Sequence, residues 1–225
     1  MDKALIDKFV DYCKREIDFN NNNFPNYGSL SVCIIDCIYS LRSNYNKTIE
    51  TVENYKQYME GKTKGAGDDL SNLIKYIEEE KHENFAENVL KNKQKSGGVL
   101  KSKVCLKLAK YLKAIGIETI EDFIKFQNKS EESKELLEII IRSVKGIGNA
   151  GTNYLFMLVG DTNRCKPDVH IHDCIKNVCG EDLKDDEYQE LFTEAVKLLN
   201  KNNSNKQLTV RDLDHAIWVK YSKVD

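Results

Sequence analysis

Two glycines around one apolar residue, Gly146-Ile147-Gly148, separate two runs of apolar residues at helical spacing. Upstream, Leu136, Leu137, Ile140 and Val144 recur on one helical face; downstream, Gly151, Tyr154, Leu155, Leu158 and Val159 do the same. Glycine takes positive φ readily and lets a second backbone come close. The stretch therefore reads as helix, tight hairpin, helix. Such a hairpin serves as a capping turn. It also suits anion binding, because N–H groups at a helix N-terminus, together with the helix dipole, favour a group such as phosphate.

Helical spacing runs through the rest of the chain, and no stretch sustains the alternation of a half-buried strand, so the fold class is all-α. Residues 1–18 form a first amphipathic helix through Leu5, Ile6, Phe9, Val10, Cys13 and Ile17. Ser29 caps a second, 30–41, which is apolar almost all round and hence central. Further helices are read over 47–60, with Ile49, Val52 and Tyr55 to Tyr58 facing inward, and over 69–80, 82–90, 101–114 and 120–126. Thr119 and Asp122 make a capping-box variant, and Ser130 caps the helix that enters the hairpin. Helices over 186–199 and from Thr209 through Trp218 close the chain. Residues 20–26, 61–67 and 200–206 read as loops, and Ser96-Gly97-Gly98 breaks the chain before position 101.

Charge and cysteine usage narrow the classes. The net charge of −2 is not that of a uniformly basic nucleic-acid coat, yet eight lysines and no acid occur between Lys91 and Lys113, while acids gather between Glu181 and Glu194. The lysine stretch serves as a solvated helix surface or as a stripe for phosphate contact. Seven scattered cysteines include no CxxC pair, which points to free thiols in a reducing, cytoplasmic setting and away from a zinc ribbon. No apolar run approaches the roughly 20 residues of a membrane span. The first residues, MDKALIDKF, carry an early acid and no apolar core, so no secretory leader is expected.

The segment after the second hairpin helix carries the candidate chemistry. Pro167 fixes its own φ and pushes Lys166 toward extended geometry. Asp168 is well suited to cap a helix over 169–179, stopped by Gly180. Capping alone accounts for an aspartate there; a catalytic carboxylate is the other reading. His170 and His172, two apart on a helix, point to opposite sides and cannot share one ion. His170 with Cys174, and Cys33 with Cys37, have ligand spacing but no fixed partners, so no metal and no cofactor are expected.

The pairing of Gly146-Ile147-Gly148 with Pro167-Asp168-Val169-His170 resembles the helix-hairpin-helix DNA glycosylases that include endonuclease III. The likeness extends over about 28–179. It implies a helical lobe over 28–162 that ends in the hairpin, a second lobe built from 1–27 and 163–225, and a cleft between them holding the catalytic aspartate, Asp168. It implies DNA contact through Lys145, Gly146, Ile147, Gly148, Asn149, Ala150, Gly151 and Thr152. It also implies that Leu41 and Arg42, at the end of the second helix, stand where such enzymes enter the duplex; Trp218 is a candidate wall of the base pocket. Lys145 replaces the usual proline, and Ala150 falls where bifunctional members place their Schiff-base lysine. The last cysteine is Cys179, so the four-cysteine cluster of the iron–sulfur members is missing. The resemblance thus implies a monofunctional glycosylase, acting as a monomer on double-stranded DNA in base-excision repair. The alternative is a DNA-binding protein that keeps the hairpin and does no chemistry.

Overall fold

A computed structural model describes residues 1–20, 23–63, 68–180, 182–201 and 207–222. Among these the chain is all-α, with twelve α-helices and one hairpin of two-residue strands. It divides into two compact units, one of residues 26–159 and one of residues 1–25 with 160–225.

The larger unit is assembled on α2 (Leu30–Ser40), which packs on α3 (Tyr45–Thr63), α6 (Lys101–Ala114) and α9 (Asn149–Leu158). Every α2 residue from Leu30 to Tyr39 is buried, as expected of a helix apolar on all sides. Its one acid, Asp36, is fully buried and accepts hydrogen bonds from the hydroxyls of Tyr27 (2.8 Å), Tyr154 (3.2 Å) and Tyr45 (3.4 Å). These bonds replace the water that the carboxylate has lost. The C-terminal end of α2 is closed by the buried ammonium of Lys101, which donates to the carbonyls of Tyr39 (2.9 Å) and Leu41 (2.8 Å) and to Gln94 Oε1 (2.8 Å).

Two inward faces differ from the reading by spacing. Ile49 is 43% exposed; α3 buries Thr48, Thr51, Val52, Tyr55 and Met59 instead. Thr51 can lie inside because its hydroxyl donates to the carbonyl of Lys47 (2.7 Å). Leu136 is likewise 45% exposed, and α8 (Glu131–Arg142) buries Leu137 and Ile141. The helix α3 also runs three residues past position 60; of the loop assigned to 61–67, residues 64–67 lie outside those described.

Between α4 (Leu70–Glu80) and α6 the chain is irregular. A single turn, α5 (His82–Asn84), leads into a π-helical turn, Phe85–Val89, closed by Leu90 N–H donating to Phe85 O (3.0 Å). The glycine pair then makes a hairpin, β1 (Lys95–Ser96) against β2 (Val99–Leu100). Gly97 and Gly98, at φ 57° and 82°, supply the left-handed pair that a tight two-residue turn requires. The helix α7 (Ile120–Gln127) opens with the Thr119–Asp122 capping box.

The smaller unit packs α1 (Lys3–Glu16), α10 (Val169–Cys179), α11 (Asp185–Asn200) and α12 (Val210–Ser222) around one apolar core. Phe9 and Phe192 meet with ring centroids 5.5 Å apart. Gly180, at φ 82°, ends α10. Part of the loop assigned to 20–26, most of that assigned to 200–206, and Glu181 lie outside the described residues. Among the described residues no disulfide joins the seven cysteines, and six of them are buried. No described helix is long and apolar enough to cross a membrane.

Candidate functional site

In the larger unit, six residues join α8 to α9. Ser143 N–H donates to Ile139 O (2.9 Å) and Ile147 N–H to Val144 O (3.0 Å), so the link turns back at once. Gly146 sits at φ 106°, and a Cβ there would lie 3.0 Å from Ser96 Oγ, whose hydroxyl donates to Gly146 O (2.8 Å). The β-hairpin thus clamps the link where only glycine fits. Gly148 has open space around it and gives α9 no side-chain cap. A helix start left in this way suits an approaching anion.

The eight residues expected to touch DNA separate into two groups. Lys145 and Gly148 are exposed; Gly146, Asn149 and Ala150 are half-buried. Ile147, Gly151 and Thr152 are buried, so any contact they offer is through the backbone. A Cβ on Gly151 would meet Leu41 at 3.1 Å, and Thr152 Oγ1 donates to Gly148 O (3.0 Å). Leu41 therefore belongs partly to the support of α9. Arg42 is exposed, in left-handed backbone at φ 51°.

In the smaller unit, Asp168 caps α10, its Oδ1 accepting from the N–H groups of His170 (3.0 Å) and Ile171 (3.3 Å). Its Oδ2 stands 3.6 Å from Lys166 Nζ, and its side chain is 17% exposed. The carboxylate is thus held by two donors and a cation while part of the side chain stays exposed.

The turn before Asp168 is strapped from α12. Asp214, 4% exposed, accepts from Lys166 N–H (2.7 Å), and Lys166 O accepts from Asp168 N–H (2.7 Å). Burial first, and then the charge of Asp168, push the Asp214 carboxyl well above the usual carboxylate range, against the opposing pull of the Lys166 N–H.

Trp218 lies in a cluster of rings. It stacks on His215 (5.9 Å, 11° between planes) and meets the edge of His170 (6.2 Å). Phe24 packs edge-on to His215 (5.4 Å), with the Arg211 guanidinium over its face (4.8 Å). Burial pushes the His215 imidazole down to about 4. Trp218 and His215 remain half-buried. His172 points elsewhere, its Nδ1 2.7 Å from the Tyr188 hydroxyl. Among the described residues, no three His, Cys, Asp or Glu side chains converge as metal ligands.

The sequence reading missed Asp214, Lys166, His215 and Phe24. One signal was present: Asp214 falls on the apolar face marked by Val210, Leu213 and Ile217, where an acid needs a buried donor.

A family model for a domain of unknown function, DUF8548, matches residues 7–222. The chain belongs to the DUF8548 family. No curated protein and no solved structure matches it. The match takes in the glycine link, the Asp168 cap and the ring cluster alike, so all three lie within one DUF8548 domain.

Proposed function

We propose that this DUF8548 protein is a monofunctional DNA glycosylase that removes a damaged or mismatched base flipped out of duplex DNA. The observation that carries the reading is Asp168, a partly exposed carboxylate fixed by two backbone donors at a helix start and by a neighbouring turn tied to α12. In this reaction the N-glycosidic bond breaks and its electron pair leaves with the base nitrogen, which takes up a proton. The sugar carbon becomes cationic, and a carboxylate beside it stabilises that charge. Water then adds to the carbon and gives up a proton, for which Asp168 is the acceptor.

The remaining parts fit roles in the same reaction. The open start of α9 at Gly148, with Lys145 exposed beside it, suits a backbone phosphate. Half-buried Trp218 and His215 offer a face on which a flipped base stacks. Ala150 supplies no amine for a Schiff base, which favours hydrolysis without strand cleavage.

A specific observation also favours the second reading, a DNA-binding protein without chemistry. The two cap bonds and the Lys166 pair already give Asp168 a structural task. Incubation with a panel of duplexes, each carrying one lesion or mismatch, followed by alkali, separates the two. Alkali-labile abasic sites from at least one duplex support the enzyme. Duplex binding with no abasic sites across the panel supports the second reading.

A further inference from the structure

We propose that a lysine-lined surface cavity of about 500 Å³ in the larger unit is a second binding site, specific for a phosphate-bearing ligand of about nucleotide size. It lies between the first turns of α3 and the loop that follows the π-helical turn, and it draws none of its lining from the glycine link or from α10. Its volume falls in the range of about 300–1,000 Å³ usual for small-molecule sites.

The lining has the chemistry of an anion receptor. Lys47, Lys91 and Lys93 reach it, against one carboxylate, Glu50. Among the described residues neither Lys47 nor Lys91 is ion-paired, whereas Lys93 Nζ pairs at 3.0 Å with Glu87 on open surface. Ordinary surface lysines pair or scatter; here two lysines outside any ion pair among the described residues line a concave surface whose other polar members are mostly amides and a hydroxyl. Ammonium groups are donors that phosphate oxygens take.

The cavity wall is built before any ligand arrives. Asn92 N–H donates to Ala86 O (2.8 Å), and its side-chain amide donates to Thr51 Oγ1 (2.9 Å). Its carbonyl accepts from the Tyr39 hydroxyl (3.3 Å). Gln94 accepts from Lys101 Nζ (2.8 Å) and donates to Ser43 Oγ (3.0 Å). Asn54 donates to Leu90 O (3.4 Å). These bonds hold Lys91 in left-handed backbone at φ 50°, an uncommon state for a residue with a side chain. A π-helical turn runs into the left-handed lysine of the cavity wall, and irregular backbone of both kinds recurs at ligand sites.

The phosphate could belong to a free nucleotide or to a nucleic-acid strand, and calorimetric titration of the whole chain distinguishes them. The probes are inorganic phosphate, thymidine 5′-monophosphate and a short oligothymidylate. The site predicts saturable binding of at least one probe by the wild type. It predicts weakening by about ten-fold or more in a Lys47→Glu/Lys91→Glu double variant, the loss expected when charged hydrogen bonds disappear. Lys125→Glu, an exposed lysine of α7 outside the cavity, should stay within about two-fold. Lys91→Gly removes the side chain while suiting the backbone, so it should weaken binding in a folded protein. Tighter binding of the mononucleotide than of phosphate assigns a free nucleotide; tighter binding of the oligomer assigns a strand. Binding that is unchanged in the double variant, or no saturable binding of any probe, overturns the proposal.

Discussion

The half-buried His215 gives the smaller unit a pH-dependent stability whose sign and size follow from its position. Its imidazole lies between the Trp218 plane and the Phe24 edge, and burial, the largest cause, drives its pKa from the ordinary 6.5 down to about 4. Asp212 pulls it upward and Arg211 pushes it further down. Because the folded-state value is depressed, the unfolded chain binds the extra proton between those limits. Stability from this group is therefore full above about pH 6.5 and is lost as the pH falls toward 4. The difference between the two values corresponds to about 3 kcal/mol if the burial is retained through the transition. Asp214, next in the chain, acts with the opposite sign: its raised pKa makes acid favour the folded state over its own range. The measurement must therefore compare the wild type with His215→Phe, which keeps a ring against Trp218 but cannot take up a proton. Urea unfolding of both proteins from pH 7 to pH 4 should show the wild type losing about 3 kcal/mol more than the variant. Parallel losses in the two proteins would refute the assignment of His215 as a half-buried imidazole held neutral by its surroundings.

Two further outcomes follow from the link between α8 and α9. Gly146→Ala places a Cβ 3.0 Å from Ser96 Oγ at φ 106°, so urea unfolding should show a loss of about 1–3 kcal/mol. Gly148→Asp meets nothing within 4 Å and should fold with little change, yet weaken duplex binding in a salt titration, because it brings a negative charge to the start of α9. With Ala150 where the bifunctional helix-hairpin-helix glycosylases it resembles place their lysine, borohydride added during a reaction should trap no covalent complex; a trapped adduct on Lys145 would show that a neighbouring amine takes over.

Helical spacing carried most of the secondary structure. The caps at Ser29, Thr119, Ser130 and Asp168 were legible because a short polar side chain ahead of an apolar run has few other uses at that spacing. Which face turned inward was less legible where polar residues hold core positions. Thr51 is buried because it bonds its own helix, and Ile49 is left outside. The Asp36 network was also hidden, since its three tyrosines come from positions 27, 45 and 154, which no local pattern joins. Around Asp168 the cap could be read from neighbouring residues. The strap from Asp214 spans 48 positions and had only one trace, an acid on an apolar face. The lysine cavity was foreshadowed by the run of lysines without acids, but Lys47 joins it from another helix.

Asp168 is both a helix cap and the proposed catalytic carboxylate, and one substitution separates the two roles. In Asp168→Asn the side-chain oxygen can still accept from His170 and Ile171, and asparagine caps about as well as aspartate, so the helix start should hold. What disappears is the negative charge and the acceptor for a water proton. Single-turnover excision on the duplex that the lesion panel identifies, with thermal unfolding and duplex binding as controls, is the direct test. A catalytic Asp168 predicts a folded variant that binds duplex DNA and excises slower by about 10²–10⁴-fold. An asparagine variant that excises at the wild-type rate would contradict it and leave Asp168 as a helix cap.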